Sequence, residues 1–150
     1  MFLFHGTWEN ILEKILKEKK ISNCYSCDTT EEINQVFLDI YDSNPREYCI
    51  YLSKDSESAD AYDYAFKIDT NRLNKNLLYV GNYNIIDKIY SHIMSSEKQD
   101  REYLSQLVNE YVDTMMSFEE YEKEKDNLSK DYFEEFLYFE EIKVSEGDLD

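Results

Sequence analysis

Apolar positions along the chain fall into short runs, which predict strands, and into helical repeats, which predict helices. The run over residues 2–5 ends at His5-Gly6, so it predicts a strand that leads into a turn. Apolar residues at helical spacing then predict a helix that begins at Trp8, with Thr7 as its cap. The apolar stripe of this helix comprises Ile11, Leu12, Ile15 and Leu16.

A second helix is predicted after the pair Thr29 and Glu32, which has the spacing of a capping box. Pro45, at the end of the polar segment 42–45, should end this helix. Residues 53–62 are rich in serine, aspartate and alanine and predict a short helix. The stripe of the second helix comprises Ile33, Val36, Phe37 and Ile40.

Five later runs of aromatic and aliphatic residues predict strands, over residues 48–52, 64–68, 77–80, 133–139 and 142–144. Residues 84–128 instead repeat apolar residues at helical spacing and predict a helical insertion before the last strands. Its Met and Tyr stripe, which includes Tyr111, is predicted to belong to the core rather than to a cofactor site. The acidic stretch from Glu119 to Asp126 predicts a solvated face, and residues 146–150 predict a frayed end.

This order of elements predicts one α+β domain over residues 1–150, in which the helices are segregated from a mostly antiparallel sheet. The length is sufficient for a real core. The chain carries 33 Asp and Glu against 16 Lys and Arg, a formal net charge of −17. Because such a chain repels phosphate backbones, a nucleic-acid partner is disfavoured, and a basic protein or a small molecule fits better.

No apolar run approaches the roughly 20 residues that span a bilayer, so we expect a cytoplasmic protein without membrane contact. Three cysteines, an odd number, argue against a disulfide framework. Cys24 and Cys27 have the spacing of half a zinc site, but Cys49, His5 and His92 lie at irregular spacings from them. A thioredoxin-like redox pair also lacks its βαβ surroundings. We therefore predict no metal site.

Three separated segments carry chemistry suited to a ligand site. In the first, Gly6 follows His5, and a glycine at this turn lets a ligand approach the backbone closely. The helix that follows offers unpaired N–H groups at its N-terminus. In the second segment, ten residues separate Tyr51 from Tyr62, so a strand and the next helix can place two rings around a flat ligand.

The third segment places two acids, Glu134 and Glu135, in an aromatic strand. Burial of a carboxylate there costs free energy unless the group has a partner or a task. On a strand the two acids point to opposite faces. Both faces are apolar, so the periodicity does not choose between Glu134 and Glu135.

Together these segments resemble the ADP-ribosyltransferase superfamily, in the H-Y-E branch that contains the poly(ADP-ribose) polymerases and diphtheria toxin. That branch begins with a strand ending in His-Gly-Thr, as residues 5–7 do here. Its two tyrosines are matched by Tyr51 and Tyr62, and its strand-leading glutamate by Glu135. The resemblance covers about residues 2–80 and 132–145, implies a split antiparallel β-sandwich with flanking helices, and does not explain the insertion.

The resemblance implies a mono-ADP-ribosyltransferase that uses NAD⁺ as substrate and modifies a protein, such as a host or defence factor. His5 would bond a ribose hydroxyl, and the backbone of Gly6 would hold the nicotinamide amide. Tyr51 and Tyr62 would enclose the nicotinamide ring. Glu135 would contact the 2′-hydroxyl of the nicotinamide ribose and stabilise the oxocarbenium-like transition state, without a metal.

Two positions depart from the family pattern. Cys49 stands where many relatives have a glycine, and Ala59 stands where many have a serine that holds the nicotinamide amide. Ser53 and Ser58 are the candidates to replace that serine, and Thr7 completes the expected set of NAD⁺ contacts.

A pyrophosphate needs nearby cations or backbone N–H groups. Arg46 and Lys54 flank the second segment and are either such cations or ordinary solvated charges. Two other functions stay open. An acidic chain of this kind could mimic phosphate and cover a basic, nucleic-acid-binding protein surface as a non-catalytic inhibitor. The same fold could also hydrolyse NAD⁺, modify nucleic-acid bases or remove a 2′-phosphate from RNA, and the net charge disfavours the last two.

Overall fold

The computed structural model describes residues 1–23 and 31–150, and only the backbone of residue 58. Within these residues the chain forms eight strands and five α-helices. The strands are β1 (Phe2–Thr7), β2 (Lys20–Ile21), β3 (Ile50–Leu52), β4 (Tyr64–Asp69), β5 (Leu78–Asn82), β6 (Met116–Ser117), β7 (Glu134–Tyr138) and β8 (Ile142–Lys143). The helices are α1 (Glu9–Glu18), α2 (Glu31–Tyr41), α3 (Tyr83–Ser95), α4 (Arg101–Thr114) and α5 (Phe118–Glu124).

The described strands pair antiparallel throughout, which confirms the predicted α+β class. β1 pairs with β4, and β2 pairs with β8. A four-stranded sheet has the order β3-β7-β5-β6. An isolated bridge between Phe4 and Ser53 joins β1 to the end of β3 through reciprocal N–H···O bonds of 2.8 and 2.9 Å. The strands that carry the predicted ligand segments are therefore neighbours.

Two clusters of buried apolar residues hold these strands and helices together. The first joins the strands to α1 and α5, with Leu3, Phe66, Phe118 and Phe136 among its fully buried members. The second joins α2, α3 and α4, and its buried residues include Phe37, Ile89, Val108 and Tyr111. The predicted apolar stripes of the helices over residues 31–41 and 101–114 are thus confirmed.

Several local predictions are wrong. Thr7 is a buried residue of β1 and does not cap α1, whose cap position is Trp8. The carboxylate of Asp63 instead accepts the N–H of Glu9 at 2.8 Å. Most of the segment 53–62 is not helical, because only Glu57–Ala59 form a 3-10 turn. Thr29, one half of the expected capping box, and the cysteines Cys24 and Cys27 lie outside the described residues.

The last residues are also not frayed. Glu146–Asp148 form a 3-10 turn closed by a capping box between Ser145 and Asp148. The N–H of Asp150 donates to the carbonyl of Ala65 at 2.9 Å, so the chain end is bound to the edge of β4. The insertion over residues 84–128 contains the short strand β6 besides its helices. In the described part of the chain, no helix is long and apolar enough to cross a membrane.

Candidate functional site

A cavity of about 440 Å³ lies where β1, β3 and the start of β7 meet. Eight residues singled out by the sequence line it: Gly6, Arg46, Tyr51, Ser53, Ala59, Tyr62, Glu134 and Glu135. A second cavity of about 140 Å³ lies beside α1 and is lined by His5, Thr7 and Trp8. Gly6 and Tyr62 line both cavities, so the two spaces meet at these residues. The structure therefore brings the three predicted segments together.

Gly6 is needed for space rather than for an unusual backbone conformation, since its φ is not positive. A Cβ at residue 6 would lie 2.3 Å from Cδ2 of Tyr62. The ring of Trp8 lies on Tyr62 as well, with ring centroids 4.8 Å apart. The close approach predicted at this glycine is thus made by the ring of Tyr62, which is fixed between the two cavities.

His5 is buried in β1, with 8% of its surface exposed. Its Nδ1 lies 3.0 Å from the carbonyl oxygen of Tyr51. Because a carbonyl only accepts, Nδ1 carries the proton in this contact. This bond ties β1 to β3 beside the Phe4–Ser53 bridge. His5 therefore holds the strand that carries Tyr51, and its ring lines the second cavity rather than the first.

Glu135 forms a buried ion pair with Arg46. Nε of Arg46 lies 2.8 Å from Oε1 and Nη2 lies 3.0 Å from Oε2, a two-point contact. Both residues are less than a tenth exposed. Burial acts to lower the pKa of Arg46, but the facing carboxylate of Glu135 and the nearby Tyr51 and Tyr111 outweigh it and raise that pKa above its ordinary value. The guanidinium is therefore charged at any pH at which the protein is folded.

Tyr111 of α4 makes the third contact with this carboxylate. Its hydroxyl donates to Oε1 of Glu135 at 2.6 Å. Burial, and then the negative charge of Glu135, raise the pKa of Tyr111 well above its ordinary value, so the phenol keeps its proton. Gly81 pairs with Glu135 across the sheet, and a Cβ there would lie 2.4 Å from the Tyr111 hydroxyl. The absence of a side chain at residue 81 lets Tyr111 reach the acid.

The backbone around Arg46 is fixed by its neighbours. The N–H of Arg46 donates to Oδ1 of Asn44 at 2.9 Å, and the hydroxyl of Tyr51 donates to the Arg46 carbonyl at 2.6 Å. The guanidinium lies 5.0 Å from the centroid of the Tyr51 ring, a cation–π contact. Nη1 of Arg46 is the buried side-chain polar atom that has no hydrogen-bond partner among the described residues.

Glu134 lies on the opposite face of β7 and pairs with Lys54, whose Nζ is 2.8 Å from Oε2. The side chain of Lys54 is about half exposed. The hydrogen bond that the Lys54 ammonium donates to Glu134 raises the pKa of Lys54. Both acids at the start of β7 line the same cavity. Glu135 belongs to a buried ion pair, and Glu134 belongs to a solvent-facing one.

The roles expected for Arg46 and Lys54 need correction. Arg46 is buried rather than solvated, and each cation is already paired with a glutamate. Their two positive charges cancel the two carboxylates, so this wall of the cavity is formally neutral although the chain carries −17. Lys14 and Lys20 line the second cavity and were not predicted. For Lys14, its position on the same side of α1 as Ile11 and Ile15 was the available signal, whereas Lys20 lies in β2.

The proposed replacements for the missing serine have different positions. Ser53 lines the first cavity, and its hydroxyl donates to the carbonyl of Asp55 at 2.9 Å. Ala59 is buried in the same wall. The side chain of Ser58 is not among the described atoms, and the thiol of Cys49 is buried and donates to the carbonyl of Arg46 at 3.2 Å. Across residues 1–23 and 31–150, no group of three or more His, Cys, Asp or Glu side chains could hold a metal ion.

Sequence reasoning missed the two partners of Glu135. Arg46 was predicted to be either a cation for the pyrophosphate or a solvated charge, and Tyr111 was assigned to the core, whereas both bond the same carboxylate. In comparisons with protein-family models, with curated proteins and with solved structures, no match to this chain was found. The geometry of the site is therefore the ground on which a function is argued.

Proposed function

We propose that this chain binds NAD⁺ across the two cavities and transfers the ADP-ribose group to a protein. One observation carries the proposal. Gly6, Tyr51, Tyr62 and Glu135, which come from three distant segments, line one cavity, and His5 lines the space that adjoins it. Four side chains scattered over 130 residues of sequence would not converge in this way because of local folding preferences alone.

The proposed binding mode follows from the lining. The nicotinamide end would occupy the first cavity between the rings of Tyr51 and Tyr62, where stacking suits a flat cationic heterocycle. The remainder would bend past Gly6 into the second cavity. There Lys14 would supply positive charge near a pyrophosphate, whereas Lys20 is already paired with Glu141 at 3.1 Å and Glu18 lines the same cavity. The two ion pairs neutralise Glu134 and Glu135 locally, so these two carboxylates would not add to the repulsion of a pyrophosphate.

The proposed reaction needs no oxidant and no metal. The bond between the ribose C1′ and the nicotinamide nitrogen breaks, and its electron pair stays on the ring, which leaves as neutral nicotinamide. A lone pair of the acceptor side chain forms the new bond to C1′, and the acceptor gives its proton to solvent. Glu135 would hold the 2′-hydroxyl next to the positive charge that develops at C1′.

The sheet arrangement supports a finer fold proposal. Among the described strands, the pair β1–β4 and the sheet β3-β7-β5-β6 are joined by the Phe4–Ser53 bridge and by the hydrogen bond between His5 and Tyr51. A sheet divided at this point, with the cavities at the division, fits the split antiparallel sandwich of the ADP-ribosyltransferase superfamily. We propose that fold, with β7 as the strand led by the key glutamate.

The target is proposed to be a basic protein, because a surface of net charge −17 attracts basic partners and speeds their association. One observation favours a second function. The carboxylate of Glu135 already accepts three hydrogen bonds, as a purely structural buried acid would. In that case the chain would be a non-catalytic acidic inhibitor of a basic protein and would not bind NAD⁺.

Calorimetric titration with NAD⁺ separates these functions. We expect saturable binding by the wild type and about tenfold weaker binding by Tyr62→Ala, because one stacked ring contributes about 1 kcal/mol beyond its burial. Tyr90→Ala, which removes an exposed ring of α3, is the matched control and should bind as the wild type does. Product analysis with labelled NAD⁺, with and without a basic protein, distinguishes transfer from hydrolysis. The proposal is wrong if titration of the folded wild-type protein with NAD⁺ gives no heat of binding.

A further inference from the structure

The carboxylate of Glu135 is held by donors from two separate parts of the chain. Oε1 accepts from Nε of Arg46 and from the hydroxyl of Tyr111, and Oε2 accepts from Nη2 of Arg46. A carboxylate has about four acceptor positions, two on each oxygen. Both positions of Oε1 are thus occupied, and among the described residues one position of Oε2 is left for a ligand.

We propose that Tyr111 is a positioning residue, which occupies Oε1 so that only Oε2 of Glu135 is available to a ligand hydroxyl. This inference rests on the proposed function. Arg46 alone fixes the plane of the carboxylate but leaves one position on each oxygen. The Tyr111 hydroxyl occupies the position that Arg46 leaves on Oε1, so a ribose hydroxyl can bond only to Oε2 and the ribose is held in one orientation.

The surroundings of Tyr111 support this role over simple core packing. A buried phenol needs only one acceptor, which a backbone carbonyl could supply, but this one donates to a carboxylate on β7. The approach depends on Gly81, the cross-strand partner of Glu135, whose missing Cβ leaves room for the phenol oxygen. The hydrogen bond between Tyr111 and Glu135 therefore depends on three elements, α4, β5 and β7.

The inference also gives the helical insertion a place at the site. Tyr111 lies in α4, inside the segment 84–128 that the family resemblance does not cover. The ring also packs edge-on against Phe37 of α2, with centroids 5.6 Å apart, so the phenol is oriented by the helical cluster. The helices thus support the carboxylate from the side opposite to Glu134.

The test compares two tyrosine-to-phenylalanine variants in an ADP-ribosyl transfer assay. Tyr111→Phe should lower kcat about tenfold and leave the KM for NAD⁺ unchanged, because the ligand still binds but is held in more than one orientation. Tyr138→Phe is the matched control. It removes another buried phenol of the same sheet, whose hydroxyl donates to Glu140 at 3.2 Å and accepts the N–H of Asn74 at 2.9 Å. Tyr138 lines neither of the two cavities of the site, so kcat should not change.

An active wild type with an equally active, folded Tyr111→Phe variant would overturn this inference and leave the proposed function standing. An inactive wild type that does not bind NAD⁺ would overturn both. If Tyr111→Phe does not fold, the wild type is tested by NMR with a non-cleavable NAD⁺ analogue. The NMR signal of the Tyr111 hydroxyl proton should shift when the analogue binds, because the phenol and the ligand would both bond the carboxylate of Glu135. An unmoved signal at saturation would refute the inference.

Discussion

Two adjacent glutamates at the start of β7 have opposite surroundings. Glu135 is closed into a buried group with Arg46 and Tyr111, whereas Glu134 meets the half-exposed Lys54 at the rim of the cavity. A buried pair is expensive to break, because the remaining charge loses its partner without gaining water. An exposed pair is worth little, because water replaces the lost partner. Two neighbouring residues of one strand thus form ion pairs of very different value to stability, a buried pair and a solvent-facing pair.

The largest expected effect comes from removing the buried cation. Arg46→Met should lower the free energy of unfolding by about 3–5 kcal/mol, since Glu135 then stays buried as an uncompensated charge. Urea unfolding followed by circular dichroism measures this change. The matched variant Lys54→Met, at the solvent-facing pair, should cost about 0–1 kcal/mol. Equal losses in the two variants would contradict the comparison.

Exchanging the acids themselves distinguishes their roles in the proposed reaction. Glu135→Gln should reduce kcat for transfer by roughly 10²–10³-fold, the cost of removing one preorganised electrostatic group, while NAD⁺ binding persists. Glu134→Gln should retain most of the activity. Binding is measured by calorimetry and transfer with labelled NAD⁺, on variants whose fold is checked by circular dichroism. If Glu134→Gln is inactive and Glu135→Gln is not, the key acid is the solvent-facing one.

A smaller effect is expected from closing the space that admits Tyr111. Gly81→Ala places a Cβ 2.4 Å from the phenol oxygen, and such overpacking should cost about 1–3 kcal/mol of stability. Gly147→Ala is the control, because the nearest atom to its Cβ would be Oγ of Ser145 at an ordinary 3.6 Å. Thermal unfolding of both variants measures the difference. Similar midpoints for the two would show that the phenol can move away freely.

Local patterns in the sequence were sufficient for much of the fold. The helices over residues 31–41 and 101–114 were predictable because their buried residues repeat every three or four positions. Most strands were predictable because short aromatic runs end at polar residues. The cap of α1 and the C-terminal tail were not, because Asp63 and Ala65 bind them from distant positions in the sequence.

The residues that line the candidate site were predictable from the sequence, but the hydrogen bonds between them were not. Tyr51, Tyr62 and Glu135 were identified through a motif, and they do line one cavity. The partners of Glu135 could not be read in the same way, since Arg46 lies 89 residues before it and has no periodic relation to it. Tyr111 was concealed for another reason: it fits the apolar stripe of its helix, and only the position of its hydroxyl reveals a second task.

The ring of Tyr62 stands between two separate spaces, each lined by a different part of the candidate site. A ligand with two ends and a flexible connector would be held at both, and the second contact would act at an effective concentration on the order of millimolar. Either half alone would lack this advantage. In the proposed reaction, cleavage frees the nicotinamide from the ribose, so nicotinamide dissociates with the contacts of the first cavity alone, whereas the ADP-ribose keeps its contacts with Glu135 and with the second cavity.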